Sequence, residues 1–323
     1  MTEQQQRDLR HDEVEAGTQS VLATPRVDVT DARQNSLWSD AWDSLKRNPL
    51  FWIGSFLGVF FVLMAIVPQL FSGGADPRDC DLSNSKQAPS GSHWFGFDQQ
   101  GCDYLANVAY GARNSLMIGL LAVIGVLVIG VIVGAIAGYY GGIADSLLAR
   151  LTDIFFALPL ILGALILLRV GPSTGLPIIS DRGAGAVAIA LAAFGWMTAM
   201  RLVRSQVIAV KSSDYVAAAR AMGASNLRIL TRHILPNAVA PVLVFSTITV
   251  GVLIAAEATL TYLGVGLQRP AISWGLQIST GQSLLRTAPH LVLFPSIILS
   301  LTVMAFIMLG DALRDALDPR QRS

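Results

Sequence analysis

Charge is scarce in this sequence. Only 14% of its 323 residues are Asp, Glu, Lys or Arg, against about a quarter in an ordinary soluble domain. Together with 53% hydrophobic residues and a mean hydropathy of +0.54, this excludes a disordered chain, a coiled coil and an ordinary cytosolic enzyme. A formal net charge of +1 gives no ground for a bulk polyanion partner, nucleic acid included. The chain has no G-x-x-x-x-G-K-[ST], so it holds no ATP in a P-loop of its own. It also has no H-E-x-x-H, C-x-x-C or G-x-S-x-G. Its four histidines, His11, His93, His233 and His290, are far apart. No catalytic residue, metal site or bound cofactor is expected. A polytopic membrane protein remains.

A membrane helix needs about 20 mostly apolar residues. Six runs qualify: Phe51–Phe71, Leu116–Gly138, Ile154–Val170, Ala184–Met200, Ala238–Ala256 and Leu291–Gly310. The third and fourth are short and run into Arg169 and Arg201, which can snorkel to the interface. Pro68, Pro159, Pro241 and Pro295 fall in or beside spans, which is tolerable where neighbouring helices satisfy the freed carbonyls. No apolar run precedes Leu50, so no cleavable signal peptide is expected and the first span stays as an anchor. Lys and Arg in alternate loops number 16 on the side of the termini against 6 on the other. That bias predicts that both termini are cytoplasmic.

With that orientation, Cys80 and Cys102 share one external loop, where an oxidising environment favours a disulfide over two free thiols. The bridge would close a loop worth about 3 kcal/mol in the chain-entropy treatment, as a staple with no redox role. Residues 1–35 read as a disordered cytoplasmic tail and 36–50 as an interfacial helix with Trp38, Trp42 and Leu45 on one face. Residues 72–114 read as an external loop large enough for a small cap. Residues 115–310 form the membrane core, helices 2–6, and 311–323 a cytoplasmic tail. Gly130, Gly134 and Gly138 flatten one face of the second span for close helix packing.

The most informative stretch lies in the cytoplasmic loop 205–236. Ser212, Ser213 or Asp214 can cap a short helix whose alanines include Ala217, Ala218 and Ala219, and Gly223 can end it in the left-handed region. Ser225 can then cap a second, basic helix, Asn226–Leu235, stopped by Pro236. Small side chains let the first helix enter a groove on another protein. A plain connecting hairpin and a DNA-binding helix-turn-helix fit the same pattern, but a hairpin tethered by spans at both ends reaches a major groove poorly. Acidic residues are absent from mid-span: Asp153 and Glu257 lie near span ends and Asp311 follows the last span. Ion-coupled carriers bury such groups, so transport would draw its energy from another polypeptide.

The run Asp214-Tyr215-Val216-Ala217-Ala218-Ala219-Arg220-Ala221-Met222-Gly223-Ala224-Ser225, followed by Arg232-His233-Ile234-Leu235-Pro236-Asn237, resembles the EAA loop of ABC-importer permeases. Trp94–Asp98, Gly138–Gly142, Glu257–Gly264 and Gly310–Arg320 resemble the OppC/DppC type in particular. The resemblance covers about Trp42 to Arg320. It departs at Ala217, where the family's acidic residue is missing and any pairing it makes in relatives is lost or moved, for instance to Asp214. It departs again at Gly101-Cys102-Asp103, where relatives have Gly-Arg-Asp.

The resemblance implies an all-α integral membrane protein with six transmembrane helices in the type I ABC importer permease fold, in the cytoplasmic membrane of a prokaryote. The implied partners are a homologous second permease, P-loop ATPase domains (one fused subunit or two separate ones) carrying ATP and Mg, and an extracytoplasmic peptide-binding protein. Asp214, Tyr215, Ala218, Ala219, Arg220, Gly223, Ala224 and Ser225 would form the contact with the ATPase. Residues 72–114 and 263–290, with Trp274, would face the binding protein and the pore mouth. Glu257 reads as structural rather than as a peptide-amine ligand. Peptides are the expected cargo; nickel, glutathione or another small solute would suit the same architecture. A secondary carrier or a polytopic membrane enzyme fits less well.

Overall fold

The computed structural model describes residues 37–174 and 183–317. The tails expected at 1–35 and beyond Leu317 lie outside these residues. The chain divides into Met1–Ser39 and Asp40–Ser323, and the contacts below all belong to the second unit.

Twelve α-helices carry the described fold: α1 Leu37–Leu45, α2 Pro49–Ile66, α3 Pro68–Phe71, α4 Tyr104–Tyr140, α5 Gly142–Phe156, α6 Leu160–Val170, α7 Ala184–Lys211, α8 Asp214–Ala221, α9 Asn226–Ile229, α10 Val239–Tyr262, α11 Trp274–Gly281 and α12 His290–Leu317. Among the described residues the only β pairing is two isolated bridges, Cys80 with Cys102 and Phe97 with Asp103. Among the described residues, five helical stretches are long and apolar enough to cross a membrane, or six when the bent pair α5–α6 counts as one span.

That pair corrects the third expected span. Ile154–Val170 is not one rod: α5 ends at Phe156, α6 starts at Leu160, and the two are bent by 82°. Pro159 is the cause. It has no N–H to give the ladder and pushes Leu158 out of the helical region. Other boundaries move outward. The helix containing Leu116–Gly138 starts at Tyr104, inside the expected loop, because Asp103 caps it through a 3.0 Å bond from Ala106 N. The last helix continues through Gly310 to Leu317, so 311–317 is helical rather than tail.

Pro236 does not stop the second basic helix either. The chain passes from α9 through a π turn, Leu230–Ile234, and a 3-10 turn, Leu235–Ala238, into α10. Widening the ladder makes room for the proline ring, and Asn237 Nδ2 donates to the His233 carbonyl at 2.6 Å.

The interfacial segment is also two pieces. Ala41 and Leu45 on α1 are buried against Ala312 and Ala316 of α12, whereas Trp42 is half exposed. Leu45 therefore packs inward and does not share Trp42's outward face.

Candidate functional site

The hairpin α8–α9 is built as its residue types require. Gly223 has φ +80°, the left-handed conformation that favours glycine, and Ser225 Oγ accepts from Arg228 N at 3.4 Å. Ser213 occupies the N-cap position of α8 but makes no side-chain cap bond, and Ser212 donates to the Ala209 carbonyl instead.

Val216 and Ala219 turn inward, with Val216 joining Val203, Val207, Ile229 and Ile234 in one apolar cluster. Ala219 is thus part of the support. The outward residues are Asp214, Tyr215, Ala218, Arg220, Gly223 and Ser225, with Ala224 half-buried. Asp214 forms no ion pair among the described residues. Tyr215, Ala218 and Met222, at i, i+3 and i+7, make one exposed stripe, and Met222 is 82% exposed. Met222 and Leu227, which is also exposed, are additions to the expected set; the signal was a large apolar side chain on either side of a glycine turn.

The hairpin is tied to α4 by one polar contact, and α7 to α4 and α5 by others, none of which spacing reveals. Tyr139, near the end of α4, donates its hydroxyl to Asn226 Oδ1 at 2.8 Å. Lys211 donates to the Tyr139 carbonyl and lies over its ring. Arg204 forks onto both oxygens of Asp145 at 2.5 and 2.7 Å. Arg201 pairs with Asp153 at 2.9 Å. Beneath these contacts, α4 meets α7 through the glycine stripe. A Cβ on Gly130 would lie 2.5 Å from Ala199 Cβ, one on Gly134 2.6 Å from the Met200 carbonyl oxygen, and one on Gly138 2.9 Å from that of Arg204.

At the opposite end, Cys80 and Cys102 form a disulfide. The loop it closes is pinned to the helices: Gln99 Nε2 donates to the Thr280 carbonyl at 2.9 Å, and His93 Nδ1 lies 2.8 Å from Asp103 Oδ2. In the same loop Asp81 accepts from Ser83 N, a bond that holds its carboxyl below the usual range.

Trp274 does not face outward. It is fully buried, donates Nε1 to the Val108 carbonyl at 3.0 Å and packs edge-on against Phe61. Glu257 is fully buried as well. Its Oε1 accepts from Thr261 at 2.9 Å, the hydroxyls of Ser115 and Ser273 stand beside the carboxyl, and Oε2 makes no hydrogen bond. It lies inside the packed bundle, in the last turns of α10.

Two family models match. "Binding-protein-dependent transport system inner membrane component" covers residues 130–323, and "N-terminal TM domain of oligopeptide transport permease C" covers residues 36–89. The dipeptide transport system permease protein DppC of Alkalihalophilus pseudofirmus is 41% identical over 89% of this chain and 91% of its own length. The oligopeptide transport system permease protein OppC of Bacillus subtilis is 39% identical over the same shares. The glutathione transport system permease protein GsiD of Pectobacterium atrosepticum is 35% identical over 94% of this chain and 98% of its own. Similarity of this depth and reach, on a helical bundle of this kind, settles the family: the chain belongs to the inner-membrane components of binding-protein-dependent transport systems, as a multi-pass permease and not an enzyme.

Proposed function

We propose that this chain is one of two homologous permease subunits of an ATP-driven importer of di- and oligopeptides. It would work with P-loop ATPase domains, fused or separate, that carry ATP and Mg, and with an extracytoplasmic peptide-binding protein. Both termini and the α8–α9 hairpin face the cytoplasm, and the disulfide loop faces outward. The observation that carries the reading is the exposed stripe Tyr215–Ala218–Met222 on a hairpin closed by Gly223. It gives an ATPase a small-residue helix to grip on a permease of this family. Peptide cargo is supported by the names of the two relatives nearest 40% identity.

The hairpin's inner face is fixed to α4 and α7, so closure of the ATPase domains would move those helices as one body. Opening of the pore toward either side follows from that rotation.

Gly223→Val tests the coupling. No atom lies within 4 Å of the added Cβ, so the cost is backbone strain, about 1–2 kcal/mol, at the turn alone. We expect the variant to insert normally, to co-purify less ATPase and to lose peptide uptake while ATP hydrolysis continues. Unchanged uptake would refute the coupling role. Competition against a labelled dipeptide by glutathione better than by other peptides would move the cargo to glutathione.

A further inference from the structure

A cavity of about 340 Å³ lies under the disulfide loop, between Pro77–Asn107 and Arg269–Leu291. Its volume is at the small end of the ligand-pocket range, about 300–1,000 Å³. Two guanidinium groups, Arg78 and Arg269, line it from segments far apart in sequence. Neither forms an ion pair among the described residues.

Other lining groups have the opposite character. The Gln99 and Gln277 amides spend their N–H groups on the main-chain carbonyls of Thr280 and Asn107, at 2.9 and 2.7 Å. The Gln277 oxygen is fully buried and has no hydrogen bond among the described residues. Asn107 likewise donates to main-chain oxygens. The Asp98 carboxylate is held in place through Oδ1, which accepts from Gln100 N and Cys102 N at 2.8 and 2.9 Å. The cavity therefore combines two cationic donors that form no ion pair among the described residues with one carboxylate.

We propose that this cavity is a receiving subsite for a short peptide with free ends. The peptide's carboxylate would meet Arg78 and Arg269, which suit a planar anion through paired N–H donors. Its ammonium would be taken by the Asp98 carboxylate. A di- or tripeptide matches the volume, and a longer chain would have to protrude. The subsite rests on the peptide-import reading and on this face being external. It adds a preference for unblocked termini that belongs to the permease itself.

The test uses the assembled importer in lipid nanodiscs without its binding protein, with dialanine as probe and saturation-transfer NMR as the readout. Dialanine should bind, while N-acetyl-dialanine and dialanine amide should each bind at least about tenfold more weakly, the scale of one lost charge-assisted contact. Arg78→Gln combined with Arg269→Gln should remove the preference for a free carboxylate and leave the ammonium preference in place. Asp98→Asn should do the reverse. Both arginines are exposed, so these changes leave the core undisturbed, and the amide introduced by Asp98→Asn keeps an oxygen for the two backbone donors.

Equal binding of all three probes, or no change in the arginine variant, would overturn the subsite. The same importer, supplied with binding protein and ATP in vesicles, separates the two readings. Dialanine uptake with no terminus preference in the nanodiscs rejects the subsite alone. No uptake of any di- or tripeptide rejects peptide import, and the subsite with it.

Discussion

Glu257 shows how one residue can organise three remote segments. Each hydroxyl at its carboxyl also accepts a main-chain N–H: Thr261 from Leu267 N at 3.1 Å, Ser115 from Trp274 N at 3.2 Å, Ser273 from Leu276 N at 3.2 Å. The carboxyl gives the Thr261 hydroxyl proton an acceptor, while the three hydroxyl oxygens hold the turn after α10 and the start of α11. Glu257→Leu removes that acceptor from a fully buried cluster. At about 1–3 kcal/mol per unsatisfied buried group, the variant should lose about 1–3 kcal/mol. Glu257→Gln keeps an oxygen in place and should lose about 1 kcal/mol. Thermal unfolding in detergent checks this, and equal midpoints for the Leu variant and the unaltered protein would contradict it. Sequence reading identifies Glu257 as structural but not the reason, since Ser115, Thr261 and Ser273 are brought together only by the packing of α4, α10 and α11.

Among the elements, α4 and α7 make the closest pair, because the glycine stripe lets backbone meet backbone. Gly134→Leu places a side chain where even a Cβ would be 2.6 Å from the Met200 oxygen. The helices must separate, at a cost of about 1–3 kcal/mol or more. The expected result is a lower aggregation temperature in detergent with membrane insertion intact; insertion depends on the apolar length of α4, which does not change. Tyr139→Phe acts differently. It removes the hydroxyl bond to Asn226 and little packing, about 1 kcal/mol, and loosens the hairpin from α4. The number of ATP molecules hydrolysed per peptide imported should rise, while an unchanged ratio would mean that the apolar cluster around Val216 suffices.

Legibility differed among these elements for physical reasons. The stripe and the turn at Gly223 are local patterns, so spacing reveals them. The break at Pro159 was hidden because Leu158 and Leu160 keep the hydropathy continuous across it. The passage through Pro236 was hidden because a π turn changes the ladder without changing the composition. Trp274 looked like a surface group because its loop is polar, yet its partners are Val108 and Phe61, more than 160 residues away in sequence.

On the scale of the whole molecule, α4 joins the two ends. Its 37 residues span about 55 Å at 1.5 Å each, from Asp103 beside the disulfide to Tyr139 under the hairpin. Both ends are held by polar contacts, and the middle is held by glycine and apolar packing. Such a rod can carry motion only if its ends stay attached. The disulfide secures the outer loop, not the rod, because Asp103 caps α4 by its own bond to Ala106 N. Reduction frees a loop closed at a separation of 22 residues, whose closure contributes about 3 kcal/mol in the chain-entropy treatment. Local loosening should therefore stop near the first turn of α4. Hydrogen exchange followed by mass spectrometry, with and without reductant, measures this directly. Amides in 78–107 should exchange faster on reduction, while those in 214–235 keep their protection. Faster exchange in the hairpin as well would mean that the two ends of α4 share one stability, so that the outer loop helps to hold the cytoplasmic coupling surface in place.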